Sequence, residues 1–209
     1  MGQVAPLPMQ SDAATVAGAI MWAYGQLKGE PPPRVESWLW PLALSSNETA
    51  AWRDPRSASN KAGLYNWNLG NVTTNGSGVD WYLNPAVTNG LKFASYPDAG
   101  AGALAMMKVL DHLGGLAAAD AGDWNAWQVT LSKYLGSSYP DLSALVSRLS
   151  STVPAPYGPG SALVASASSI VKPLVIAGGV FVLACLLSEA INPGSSPLSP
   201  KGRRALGFS

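Results

Sequence analysis

Glu48 is the residue whose setting invites chemistry. It stands in "LWPLALSSNETAAW", with Leu42, Ala43 and Leu44 before it and Ala50, Ala51 and Trp52 after it. A carboxyl at the end of an apolar helix loses solvation, and the negative end of the helix dipole adds to the cost of charge. Both effects favour the form that carries a proton. A carboxyl that keeps its proton near neutral pH is what general acid catalysis requires. In glycosidic cleavage such an acid protonates the leaving oxygen while positive charge grows on the sugar ring.

The segment after Glu48 carries the groups a sugar would need. Asn66, Asn68, Asn71 and Asn75 fall within ten residues. Asn amides both donate and accept, which matches hydroxyl and N-acetyl groups. Trp52, Trp67, Trp81 and Tyr82 offer flat apolar faces for pyranose rings. The plainer account of any one Asn is a tight turn, and of any one Trp a core filler. The arrangement as a whole favours a site. No second carboxylate has a clear base or nucleophile context. Asp54 lies in "RDPR", which reads as a surface turn, and Asp80 sits in a Gly/Asn loop. Glu30 and Glu36 flank "PPPRV" and are expected to be solvated.

Other chemistries are limited by composition. One cysteine, Cys185, and one histidine, His112, leave no internal disulfide, cysteine-based metal site or histidine cluster, so no metal or cofactor is expected. A Ser-His-Asp triad would need His112 as its base. In "KVLDHLGG" that residue instead reads as a helix-surface position near a C-terminus, where its partial charge suits the dipole. Only 12% of residues are charged and the net charge is +1, with no basic stripe, so specific nucleic-acid binding is not expected.

The elements that must position Glu48 read as a mostly helical domain over residues 12–150, with a small irregular or β region and an N-terminal extension, 1–11, before it. Asp12 is a plausible cap, Val16, Ile20, Tyr24 and Leu27 share a face, and Gly29 with "PPP" ends that helix. Pro41 should break or kink the next apolar run, so its helix is expected from about 41 to about 50. Residues 53–92 are turn-rich, with short strands expected around "GNVTT" and "VDWYL". Pro97 and Asp98 suit the first turn of a further helix, with Leu104, Met107 and Leu110 facing the core. Asp123 opens another, with Trp124, Trp127, Leu131 and Leu135 in a stripe and Gly136 past its end. The tetrapeptide "SYPD" occurs at Ser95–Asp98 and again at Ser138–Asp141, and a repeated helix-start signal explains it.

Beyond residue 150 the polypeptide changes character. A Pro/Gly/Ser linker, 151–162, leads into an apolar helix, 163–191, and a basic tail, 192–209. Only Lys172 and Glu189 are charged between Arg148 and Lys201. The uncharged core from Pro173 to Leu187 falls short of the roughly 20 residues that span a bilayer. Extending it back through "LVASASSIV" supplies the length if Lys172 snorkels or faces a partner helix. Gly178, Gly179 and Ala184 are small residues of the kind that pack membrane helices. A transmembrane helix is the expectation; a helix buried in an assembly is the alternative. Lys201, Arg203 and Arg204 would keep the tail cytoplasmic and leave the 12–150 domain across the membrane. "MGQVAPLPMQSD" has no basic, then apolar, signal-peptide pattern, and the sequons "NET", "NVT" and "NGS" then read as accidents of an Asn/Thr-rich loop.

An acid at a helix end, an Asn-rich segment and a later aromatic helix start, in that order, resemble the lysozyme-like superfamily. The likeness is to the lytic transglycosylase and glucosaminidase-type domains of bacteriophage virion proteins. The N-x-N-x-G-N segment is Asn66-Trp67-Asn68-Leu69-Gly70-Asn71. The F-x-x-Y-x-x-x-x-G element is Phe93, Tyr96 and, one residue off the spacing, Gly102. The resemblance covers roughly residues 12–150. It implies a lysozyme-like fold, with Glu48 as general acid/base. Asn66, Asn68 and Tyr96 would line the saccharide groove, with Asn71, Trp52 and Trp67 as further substrate contacts. The implied substrate is the peptidoglycan glycan strand. The missing second carboxylate leans towards a lytic transglycosylase, in which the sugar's own 6-hydroxyl attacks, over an inverting hydrolase. With the apolar helix, the resemblance implies an enzyme carried by a phage particle as a tail or internal protein. It would enter the host envelope membrane through residues 163–191, assemble with itself and other virion proteins, and open the wall locally during genome entry. A non-catalytic virion or membrane-channel component of lysozyme-like fold is the alternative.

Overall fold

Helices begin where a short acid can cap them. In the computed structural model Asp12 accepts from the Thr15 amide at 2.7 Å and starts α1 (Ala13–Lys28). Asp98 accepts from Ala101 at 2.8 Å and starts α3 (Ala99–His112), while Asp123 accepts from Ala126 at 3.0 Å and starts α5 (Trp124–Leu135). Each bond satisfies an amide that has no partner inside its helix. Asp98 is therefore the cap before the first turn, not part of it. The other helices are α2 (Glu36–Glu48), α4 (Gly115–Ala121) and α6 (Ser143–Thr152). The structure describes residues 1–57, 63–85, 90–136 and 138–153, and over these the protein is mainly α.

Helix α2 is the axis of the packing. Every residue from Ser37 to Ser46 is buried, and α1, α4 and α6 lie against the helix. A helix apolar on all sides has to be enclosed in this way. Pro41 sits inside it without ending it, so the helix starts at Glu36 and stops at Glu48, both earlier than expected. Proline in a helix interior costs about 3 kcal/mol. Burial of Trp38, Leu39, Trp40, Leu42 and Leu44 offsets that cost, at roughly 1.5–3 kcal/mol for each large apolar side chain. Trp40 meets Trp124 edge-on at 5.0 Å and Trp127 at 5.7 Å, which ties α2 to α5. On α3 the buried residues are Gly102, Ala103, Met106, Met107 and Leu110, whereas Leu104 is only partly buried. Leu135, expected at the end of the α5 stripe, is exposed.

Residues 1–11 are not an extension. The Val4 amide donates to the Trp81 carbonyl at 2.8 Å, and the Trp81 amide donates to Gly2 at 3.0 Å. β1 (Pro8–Met9) pairs antiparallel with β2 (Leu64–Tyr65), and the Ser11 amide reaches the Trp52 carbonyl. These residues therefore pack as part of the domain. The expected "VDWYL" strand is β3 (Trp81–Leu83), which pairs antiparallel with β4 (Lys92–Ala94), placing Tyr82 opposite Phe93. Around "GNVTT" there is only a bridge between Thr73 and Phe93. Tyr65, Tyr82 and Phe93 form a small aromatic core of their own.

Helix α6 runs through Thr152, so it takes up the start of the expected linker. The rest of the linker, the apolar segment 163–191 and the tail 192–209 lie outside the described residues. Among the described residues no helix is long and apolar enough to cross a membrane.

Gly102 decides how closely α3 approaches the Asn-rich loop. A Cβ there would lie 1.9 Å from the Trp67 carbonyl oxygen. Helix propensity alone would make Gly102→Ala stabilising by about 1 kcal/mol. Contact with backbone reverses the sign, and Gly102→Ala is expected to cost about 1–3 kcal/mol in urea unfolding. Gly25 in α1 meets nothing closer than 3.9 Å. Gly25→Ala is the control and should stabilise; equal effects at the two positions would contradict the packing described.

Candidate functional site

The site forms where α2 stops. The Ala51 amide donates to the Ser46 carbonyl at 2.7 Å, the closing bond of a Schellman-type end, and Thr49 is the cap residue. Glycine normally fills the left-handed position of such an end. Here Ala50, Ala51 and Trp52 follow one another with φ of 49°, 59° and 56°. Left-handed backbone costs roughly 1–2 kcal/mol per residue with a Cβ. Side chains hold it in place. Thr49 Oγ1 donates to the Ser45 carbonyl at 2.7 Å and accepts from the Trp52 amide at 3.2 Å. The Trp52 indole N–H donates to Ser45 Oγ at 2.9 Å. Trp52 is thus a buried clasp for the turn and presents no face to a sugar, contrary to expectation.

The Asn-rich loop divides into structural and exposed parts. Asn66 accepts from the Leu7 amide at 2.6 Å and donates to the Ala5 carbonyl and to Ser95 Oγ. Asn68 accepts from the Val72 amide at 2.7 Å and donates to the Val72 and Ala94 carbonyls. Both are buried with their amides fully engaged, so neither lines a saccharide groove. Asn75 accepts from the Ser77 amide and shapes a turn. Trp67 is half-buried against the main core. Asn71 is the member of the set that reaches the acid. Its Nδ2 donates to the Glu48 main-chain carbonyl at 2.7 Å and to Glu48 Oε2 at 3.0 Å.

Glu48 is half-buried, and its second carboxyl oxygen, Oε1, accepts from the Tyr139 hydroxyl. Tyr139 Oη in turn accepts from Asn47 Nδ2 at 2.9 Å. The carboxyl expected among apolar groups therefore faces two donors, because Trp52 turns away into the core. The Tyr139 phenol is pushed well above its ordinary range by burial, then by the charge of Glu48 and their hydrogen bond, so it remains a donor. Tyr134 is raised by burial, and by Glu48 and Tyr96 nearby, and its hydroxyl donates to the Gly70 carbonyl. Tyr96, half-buried, is pushed up to about 12 by burial. One carboxyl thus stands near two tyrosines that stay neutral, Tyr139 and Tyr134, with Tyr96 beside the second.

The other acids are engaged elsewhere. Asp54 is paired with Arg56 at 2.5 Å, and the hydrogen bonds from Arg56 hold its carboxyl below the usual range. Asp80 accepts from the Gly2 amide at 2.8 Å. Glu36, expected to be solvated, is partly buried and paired with Arg34 at 3.2 Å. His112 is exposed in the last turn of α3. No group of three His, Cys, Asp or Glu side chains gathers to hold a metal among the described residues.

Reading along the chain missed Tyr134, Tyr139 and Asn47. One signal was present. Both copies of "SYPD" put an Asp at a helix start, and the Tyr of one copy lies on Glu48 while that of the other lies beside Tyr134. Comparison with family models, with curated proteins and with solved structures finds no match to this chain.

Six tyrosines, Tyr24, Tyr65, Tyr82, Tyr96, Tyr134 and Tyr139, have raised values. Below pH 10 they are protonated in both folded and unfolded chains and stability is unaffected. Above it the unfolded chain ionises first and binds fewer protons, so stability falls as pH rises through the folded values. Urea unfolding from pH 9 to 11.5 should show a loss steeper than one proton per unit, and Tyr96→Phe should make it shallower. A flat profile would remove the buried phenols.

Asn71 has φ 49°. Asn71→Ala and Asn71→Gly both delete the amide that holds Glu48, but only alanine meets the left-handed penalty. The alanine variant should be about 1 kcal/mol less stable by urea unfolding. Equal stability would mean that the loop relaxes once the amide is gone.

Proposed function

We propose that the protein cleaves peptidoglycan glycan strands, as a lysozyme-like enzyme of the lytic transglycosylase or muramidase type with Glu48 as general acid/base. The observation that carries this reading is a half-exposed carboxyl at the end of a buried helix, with Tyr139 on one oxygen and Asn71 on the other. In the proposed reaction the protonated form of Glu48 gives its proton to the glycosidic oxygen as the bond to the anomeric carbon breaks. The carboxylate so formed accepts from the Tyr139 hydroxyl and the Asn71 amide. It then takes the proton of the sugar's 6-hydroxyl as that oxygen attacks the anomeric carbon. The commitment of Asp54 and Asp80 to other partners supports this single-carboxylate route over one with a separate base. In the same proposal a phage particle delivers the enzyme, residues 163–191 enter the host membrane, and the wall opens locally for genome entry.

A second reading has an observation of its own. Asn66 and Asn68, which the resemblance assigns to the saccharide, are spent on internal bonds. A non-catalytic virion or membrane-channel component that keeps a lysozyme-like frame would look like this.

The full chain, added to purified peptidoglycan, should release muropeptides. Glu48→Gln should lower the rate by about 10²–10⁴-fold, the usual worth of a general acid. Tyr139→Phe should lower kcat by roughly tenfold while the protein stays folded. Anhydro ends by mass spectrometry mark a transglycosylase and reducing ends a hydrolase. No release by the wild type, or full activity of Glu48→Gln, defeats the enzyme reading, and binding without cleavage favours the structural one.

A further inference from the structure

A groove of about 310 Å³ opens between the last turn of α2 and the first turns of α6. It is large enough for a small substituent but at the lower limit for a whole ligand site. Pro140, Leu142 and Leu145 supply its apolar lining, and Asn47, Asp141 and Arg148 its polar edges. Arg148 is exposed, and the ion pairs among the described residues belong to Lys28, Arg34 and Arg56, so its guanidinium is free for a ligand. The Asp141 carboxylate accepts from the Ser143 amide and hydroxyl, both at 2.9 Å, and a carboxylate has room for further donors. Asn47 gives one N–H to Tyr139 Oη, which donates onward to Glu48. Its second N–H and its carbonyl oxygen remain for a ligand. The groove is thus joined to the acid through two consecutive hydrogen bonds.

We propose that this groove is a subsite for a carboxylate-bearing peptide branch on the glycan strand, an inference that rests on the reading of Glu48 as the residue that cleaves that strand. Arg148 binds the carboxylate, with the planar fork that suits two parallel hydrogen bonds. Asp141 accepts from a peptide N–H, and the apolar lining receives small aliphatic side chains. A free phosphate fits less well, because it brings more negative charge than one carboxylate next to Asp141 and has no peptide N–H to give that side chain. An occupant that touches Asn47 also firms the bond from Tyr139 to Glu48. The branch therefore serves to orient the acid as well as to anchor the strand.

Calorimetry on the full chain tests this, with Glu48→Gln present to block turnover. The ligands are a peptide-bearing disaccharide, the same disaccharide with its peptide removed, and inorganic phosphate. The peptide-bearing form should bind at least tenfold tighter than the bare one. Arg148→Gln should abolish that preference, and Arg148→Lys, which keeps the charge but not the fork, should retain part of it. Equal binding of the two sugars, or a preference that survives Arg148→Gln, overturns the subsite and leaves the glycan reading standing. Phosphate binding that depends on Arg148 while the peptide adds nothing also overturns it. If neither sugar binds, the subsite and the glycan reading fall together.

Discussion

A helix buried along ten consecutive residues constrains everything around it. Helix α2 has no solvent side from Ser37 to Ser46, so other helices must enclose it, and its C-terminal carbonyls emerge where solvent cannot freely reach them. Carbonyls in that position need partners. The Ser45 and Ser46 carbonyls find them in Thr49 and Ala51, and the Glu48 carbonyl finds one in Asn71. The same amide then reaches the Glu48 carboxyl. One side chain closes the helix and orients the acid, so satisfying the backbone and preparing the candidate site are a single requirement.

That requirement passes outward through the loop that carries Asn71. The loop runs against α3 and α5 with no spare room. A Cβ on Gly70 would lie 2.6 Å from Tyr134 Oη and 2.7 Å from Met106 Cγ, and Gly102 has the Trp67 carbonyl against it. Tyr134 donates to the Gly70 carbonyl and fixes the residue immediately before Asn71. Asn66 and Asn68 also hold this loop, by bonds to the N-terminal segment at Ala5 and Leu7 and to β4 at Ala94. Positive φ at Asn66, Trp67 and Asn71 is tolerated because these bonds over-determine the loop. Strain therefore lies on both sides of Glu48, in this loop and in the Ala50–Trp52 turn.

The electrostatics follow from the low charge of the domain. Around Glu48 the chain uses amides and phenols in place of cations. Tyr139 is held neutral, chiefly by burial, and with the Asn71 amide it gives the Glu48 carboxyl two neutral donors, while Tyr134, also raised by burial, braces the loop through the Gly70 carbonyl. Arg148, in the adjoining groove, is exposed and outside the ion pairs of the described residues.

Sequence alone determined what depends on neighbours in the chain. Asp12, Asp98 and Asp123 cap helices because a carboxylate reaches an amide three residues on, and the resulting stripes of apolar residues follow from the helical period. The acid at a helix end, and an Asn-rich loop after it, were legible for the same reason. Tertiary structure decided which groups meet the acid. Tyr139 lies 91 residues from Glu48, and Asn66 lies 61 from Ala5, and no local rule ranks such partners. Asn66, Asn68 and Asn71 are one residue type at nearly regular spacing, yet two face inward and one faces the acid. Trp52 looked like a sugar platform beside Glu48 until the left-handed turn carried it into the core. Local hydrogen bonds select the elements; the packing of α2, a choice made across the whole domain, selects the side chains that surround its end.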